Sequence, residues 1–539
     1  MSDLKNAVAT ATEHADPLPE IEDGQAIMTT SALAARFEHE QHALTRTQAV
    51  KANLKPLMWC AYMFFVCIMW GFDSLAGGIV VAINEFRKDF GVPYAGDYVI
   101  DANWQLGWQA ATLFGLVFGG FIAGLTIDRF GRQPVLLFGY CMTIGGVFLQ
   151  VFSKSLAQFF GGKLLTGIPM GIYTTAAPSY ASEMAPLAIR GSISAGMNFA
   201  IVLGQLIGYG VTRQASFYTD ARQYKILFAT QWGFVAASIV FLPFFIESPY
   251  WLVAHGRVEK ARQNLEKLHD ANYDFDGHMA EISENVAAQQ QHSSSQGGML
   301  ECFSREHWRR TLVATSMFFI QNACGSSWVI GYMTYFMELA GMDAGKAFNV
   351  SVGLSGVMAV GNMCGWFFVD WFGRRGTALY GSGLLAFTLL MIGILSCVNS
   401  TSAIWGQVAF MGIWCFLYQG TMGAVAWPVA AEAATSRLRA PTQALSTMMN
   451  GLSSCIWSFS LPYAVNPDIG NLQGKIAFIF AAVMVLSTVF IFFMVPETKN
   501  RTYLEIDELW ARRVAPRKFK QTQLVAVAVE DAKGLKEAN

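Results

Sequence analysis

The chain has 539 residues, of which 53% are hydrophobic and only 14% charged, and its formal net charge is -1. Soluble proteins carry about a quarter charged residues, so an ordinary water-soluble enzyme is excluded, and the balanced charge leaves no bulk field to attract nucleic acid. The charges cluster between long apolar runs, which is the pattern of a polytopic membrane protein.

Residues 1–56 form a polar tail without the apolar centre of a cleavable signal peptide, so the first span is expected to act as the targeting signal. Crossing about 30 Å of hydrocarbon takes about 20 helical residues. Twelve segments qualify: 57–83, 104–126, 134–153, 156–178, 191–212, 226–246, 312–336, 350–369, 377–398, 403–430, 441–463 and 475–495. They predict an all-α membrane protein with a six-helix N-terminal half (57–246), a six-helix C-terminal half (312–495) and a tail at 496–539. The loop between the halves, 247–311, contains an amphipathic stretch from Arg257 to Leu268, with Val258, Ala261, Leu265 and Leu268 at helical spacing. A Gln/Ser-rich piece from Gln289 to Gly298 reads as flexible linker. Arg129, Arg132, Arg190, Arg374, Arg375, Arg437, Arg439, Lys499 and Arg501 fall in alternate loops on one side, which predicts a cytoplasmic location for that side and for both termini.

The two halves echo each other at a period of about 245 residues. Asp128-Arg129-Phe130-Gly131-Arg132 recurs as Asp370-Trp371-Phe372-Gly373-Arg374-Arg375, and Glu183 with Arg190 recurs as Glu432 with Arg439. Glu247-Ser248-Pro249 is answered by Pro496-Glu497-Thr498. Two parallel six-helix halves with a substrate between them near the midplane are the architecture of an alternating-access transporter. The repeated carboxylates and guanidiniums at helix ends can pair across neighbouring helices when the inner face is shut and part when it opens. They form a candidate cytoplasmic gate: Asp128, Arg129, Arg132, Glu183, Arg190, Glu247, Asp370, Arg374, Arg375, Glu432, Arg439 and Glu497.

Nine cysteines, most of them inside apolar runs, read as small apolar residues rather than a disulfide framework. No phosphate-binding loop and no metal-ligand spacing occurs, so neither enzyme activity, cofactor nor metal is expected. Asn399-Ser400-Thr401 is a glycosylation sequon in a short outer loop.

Three of these motifs resemble the sugar porter family of the major facilitator superfamily. Gly124-x-x-x-Asp128-Arg129-x-Gly131-Arg132 resembles the superfamily's loop motif. Glu247-Ser248-Pro249-Tyr250-Trp251-Leu252 resembles the family's PESPRWL, with Tyr250 where Arg is usual. Pro496-Glu497-Thr498-Lys499-Asn500-Arg501-Thr502 resembles PETKGRT, with Asn500 for Gly. Within the family, Gly167-Ile168-Pro169-x-Gly171, Gln321-Asn322-x-Cys324-Gly325 and Ser436-Arg437-Leu438-Arg439 resemble the fungal α-glucoside (maltose-type) permeases. The resemblance implies the major facilitator fold and sugar uptake by proton symport. Its expected partners are a small-molecule sugar, a proton and the lipid bilayer, and it implies a monomer in the plasma membrane.

Asp73 is the only ionisable residue of the first predicted span and Lys163 the only cation of the fourth. An intramembrane charge is a functional hypothesis by default. At about 1.5 Å per residue the two lie about 16 Å and about 10 Å below the outer ends of their helices, close enough to meet. The resemblance implies a proton-coupling pair, with Lys in place of the family's usual Arg; a static structural ion pair is the alternative. Sugar recognition needs convergent amides, hydroxyls and an aromatic face. The candidates are Asn198, Gln205, Gln321, Asn322, Ser327, Tyr332, Trp427 and Asn450. Each has the alternative of being interhelical glue or packing. A facilitative hexose carrier, a sugar sensor and a secondary-metabolite exporter are the rival functions.

Overall fold

The computed structural model describes residues 46–522 except 95–96, 187–188, 271–272, 296–298, 340, 399, 435–437, 467–469, 500 and 502, with fragments of the tail between 21 and 37. The sequon at Asn399 and the side chains of Arg190 and Arg439 lie outside the described residues.

Helices stand at all twelve predicted segments. Spans 1 to 6 are Leu54–Ile79, Ala102–Phe130, Arg132–Val151, Leu156–Met184, Arg190–Ala215 and Arg222–Phe241. Span 7 is broken into Trp308–Ala323 and Ser326–Leu339, and span 10 into Thr401–Gly420 and Met422–Ala433. Spans 8 and 9 run through Ala344–Leu395 with non-helical backbone at Gly373. Spans 11 and 12 are Arg439–Val465 and Ile476–Met494. Among the described residues seven helical stretches are long and apolar enough to cross a bilayer on length and composition alone. Spans 4, 5, 7 and 11 are not among them, and these carry Lys163, Asn198, Gln205, Gln321, Asn322 and Asn450.

The repeat extends from motif to backbone. Gly131 ends span 2 with φ +87° and Gly373 ends span 8 with φ +77°, a region that glycine enters without the Cβ clash of other residues. Glycines also set the packing of spans 2 and 4. A Cβ on Gly119 would lie 1.9 Å from the Ile168 carbonyl, and one on Gly171 2.1 Å from that of Leu116. Their equivalents are spans 8 and 10, where a Cβ on Gly361 would lie 2.6 Å from the Phe416 carbonyl. Lipid is as apolar as leucine, so close backbone approach rather than hydrophobic burial drives such contacts.

Contacts divide the chain into two units. The larger (Met58–Met184, Arg190–Ile246 and Ser295–Asn539) holds all twelve spans but the start of span 1, together with the helix Tyr503–Ala511. The smaller draws on Met1–Leu57, Ala185–Ile189 and Glu247–Ser294. Its helices Pro249–Ala254, Val258–Leu268 and Phe275–Ser295 bury Trp251, Leu252, Ala261, Leu265, Met279 and Ile282. The amphipathic face is the predicted one, except that Val258 is exposed. Helix also runs on through Gln289 to Ser295, where the sequence predicts flexible linker, because the run of Gln and Ala offers no breaker before Gly297. Phe37 of the tail stacks on His278 at 4.9 Å, and His269 stacks on Tyr273 at 3.8 Å. Burial lowers the pKa of His269 to about 4 and that of His278 to about 3, assisted by Lys55 and His269 respectively.

Candidate functional site

In the larger unit the end bearing the repeated Asp-x-Phe-Gly-Arg sequences is termed the motif end and the opposite end the far end.

Asp73 and Lys163 meet. Lys163 Nζ on span 4 donates to Asp73 Oδ1 on span 1 at 3.2 Å, and both side chains are completely enclosed. Gly77, one turn after Asp73, faces the ammonium: a Cβ there would lie 3.6 Å from Nζ, in ordinary contact. The ammonium also lies 5.4 Å from the centre of the Phe228 ring. Sequence reasoning missed the third member of the group. Gln231 on span 6 donates from Nε2 to the same Asp73 oxygen at 3.0 Å. Its sequence signal, one amide in an apolar span, does not separate a carboxylate partner from interhelical glue. Among the described residues Asp73 Oδ2 is buried and has no partner. An ion pair in this setting is costly to break by removing one member, by about 3–5 kcal/mol, because the other charge is then left uncompensated. The arrangement therefore ties three spans together through one carboxylate oxygen.

The sugar-site candidates fall into three groups. Asn322 on span 7 donates to Asn450 Oδ1 on span 11 at 2.7 Å, and Trp427, 47% exposed, lies edge-on to Phe318 at 4.7 Å, one turn before Asn322. These form one cluster in the C-terminal half. Gln321 is half-buried next to it and its carbonyl accepts from Cys324 Sγ at 2.8 Å, where Gly325 with φ +89° breaks the span. Asn198, Gln205 and Ser327 are half-buried on spans 5 and 7. Gln205 Oε1 is buried without a partner, which costs about 1–3 kcal/mol unless a ligand or water supplies a donor. Tyr332 is not joined to the other candidates. Its hydroxyl accepts from Gln109 Nε2 at 2.9 Å and lies 3.4 Å from Gln105 Oε1, both on span 2.

Two charged pairs of the candidate gate each join neighbouring helices of one half. Arg132 donates to Glu183, and its counterpart Arg374 donates to Glu432 Oε1 at 3.1 Å. Thr498 donates to the other oxygen of Glu432. Glu497 accepts the backbone N–H of Arg374 at 2.9 Å and of Arg375 at 3.2 Å, so it caps span 9 where Gly373 breaks the helix. Arg375 donates to the Phe492 carbonyl at 2.9 Å. Asp128, Arg129 and Asp370 are exposed, the Arg129 guanidinium lying 5.5 Å from the Phe130 ring. Glu247 belongs to the smaller unit, where its carboxylate accepts from the Ser248 N–H at 3.2 Å.

Polar contacts between the halves gather at the far end. Tyr463 donates to Asn103 Oδ1 at 2.7 Å, Gln105 to Asn466 Oδ1 at 3.0 Å, and Asn466 in turn to the Ile100 carbonyl at 2.9 Å. Tyr209 donates to the Ile330 carbonyl at 2.5 Å.

A family model described as "Sugar (and other) transporter" matches residues 59–510. A general α-glucoside permease of Saccharomyces cerevisiae is 28% identical over 491 residues, covering 90% of this chain and 80% of that protein. A maltose permease of the same organism is 28% identical over 511 residues, covering 93% and 83%. The E. coli xylose transporter XylE in an inward-open conformation matches with a TM-score of 0.69 at 19% identity, covering 84% of this chain and all of that one. The proton:xylose symporter XylE bound to 6-bromo-6-deoxy-D-glucose, of the major facilitator superfamily, matches at 0.66 and 19%. With the motifs, the twelve spans and the match across 59–510, the chain belongs to the sugar (and other) transporter family.

Proposed function

We propose that this carrier takes up an α-glucoside disaccharide or a related sugar by proton symport. In this reading it acts as a monomer in the plasma membrane with its motif end and both termini in the cytoplasm. The likeness to the yeast α-glucoside and maltose permeases supports the substrate class. The observation that carries proton coupling is Asp73, an enclosed carboxylate held through one oxygen by Lys163 and Gln231 and free at the other. Opening the site to water changes the balance between ion pairing and desolvation, so proton affinity depends on which side is open. Asn322, Asn450, Trp427 and the unpartnered Gln205 supply hydrogen-bonding groups and a ring face for the sugar. With the far end bridged between the halves, the conformation drawn here is closed to the outside.

The test is a yeast lacking its own sugar carriers, with external pH recorded after maltose, sucrose, trehalose, glucose, xylose or lactose is added to weakly buffered cells. Alkalinisation with one sugar, abolished in Asp73→Asn, is the expected result and names the substrate. Accumulation without a pH change would make the protein a facilitator. No response to any sugar, from protein located at the cell surface, would sink uptake altogether.

A further inference from the structure

The far end holds a second buried charge pair, and this one joins the two halves. Arg87 lies on the short helix Asn84–Phe90 that follows span 1, and Glu338 on the last turn of span 7. Their side chains are 6% and 9% exposed. Arg87 Nη1 donates to Glu338 Oε2 at 3.0 Å and to the Val81 carbonyl at 2.9 Å. Nη2 donates to Asn84 Oδ1 and lies 3.8 Å from Asp97 Oδ2. The guanidinium lies 5.7 Å from the centre of the Tyr335 ring. Lys88, on the same helix, is paired with Glu85 at 2.7 Å.

The two members of the pair are not equivalent. If the halves part, Arg87 keeps Val81, Asn84 and Asp97, all on its own half. Glu338 keeps much less. Among the described residues its Oε1 is already buried without a partner, and the other acids near it, Asp97 and Asp343, only repel its charge. The halves touch about two turns earlier on the same helix, where a Cβ on Gly78 would lie 2.7 Å from the Gly331 carbonyl, so parting the halves there carries Glu338 away from Arg87. A carboxylate stripped of its cation in an enclosed site is costly, and taking up a proton removes that cost. Asp97 remains to balance Arg87.

We propose that Arg87 and Glu338 latch the far end shut, and that a proton taken up by Glu338 from the far side releases the latch. Glu338 is then a second proton-responsive carboxylate, distinct from Asp73. It decides when the sugar path opens to the far side instead of holding the carried proton. The inference rests on the alternating-access reading above.

The test is direct. Spin labels are placed at Val92→Cys and Lys346→Cys, exposed positions on the two halves, in a full chain carrying Cys141→Ser and Cys397→Ser and held in lipid nanodiscs. In this parent, acidification raises the long-distance population by up to about tenfold per pH unit, the limit for a change linked to one proton. Glu338→Gln shows the long distance at every pH, whereas Asp73→Asn keeps the acid response. Should Glu338→Gln fold poorly, the exchange Arg87→Glu with Glu338→Arg restores the short distance. A Glu338→Gln chain that behaves as the parent overturns the latch, and so does a folded exchange variant that stays open. Loss of sugar uptake with the distance response intact counts against the transport reading and leaves the latch standing.

Discussion

Asp73 shows how far a sequence reaches at the scale of one residue. Its pairing with Lys163 was legible because charges are rare in apolar spans and helical rise places both at similar depth. Gln231 was not legible, because an uncharged amide in a span gives the same signal whether it glues helices or serves a carboxylate. Its contact now gives a prediction. Gln231→Leu removes one of two donors to Asp73 Oδ1, leaving protein folded and sugar exchange near normal. Sugar uptake driven by an imposed proton gradient falls by about tenfold, the equivalent of losing one hydrogen bond to a charged group. Equal gradient-driven uptake in variant and parent would reduce Gln231 to packing. The gate residues carry a related lesson. The repeat identified Arg132, Glu183, Arg374 and Glu432, while their joining within each half depends on helix packing that a sequence does not show.

For single helices, the legible part was length and polarity, which placed all twelve spans. Breaks such as Gly325 in span 7 lay within tolerated Gly-rich stretches and gave no boundary signal. Gly115 with Gly119, Gly167 with Gly171 and Gly361 with Gly365 stand four apart at close helix contacts, a spacing whose meaning emerged only with the structure, since small residues four apart permit backbone approach. Gly119→Ala therefore forces span 2 away from the Ile168 carbonyl and costs about 1–3 kcal/mol or more by overpacking. Gly161→Ala, where nothing lies within 4 Å, is the matched control. Thermal stability of the two purified variants decides the matter: a fall in Gly119→Ala alone is expected, and equal stabilities would refute the packing argument.

Across the whole molecule, the twelve-span architecture was written in the repeat, whereas the smaller unit was only partly visible. Its amphipathic helix was readable, but its partners come from distant segments with no periodic signal between them. The unit's histidines give it a pH dependence with a definite sign. Folded His269 and His278 titrate near 4 and 3 and their unfolded forms near 6.5, so the unfolded chain binds more protons between these values. The stability they confer is full above about 6.5 and falls as pH drops toward about 4. Hydrogen exchange across 247–294 should quicken over that window and be unchanged above it; a flat profile would contradict the buried-histidine account. The stacking of Phe37 on His278 also bears on how the protein is made. A ribosome finishes the tail first but cannot supply its docking surface until the first six spans have been synthesised. The tail thus spends that interval without this contact, and a chain stalled before residue 278 leaves Phe37 without its ring partner.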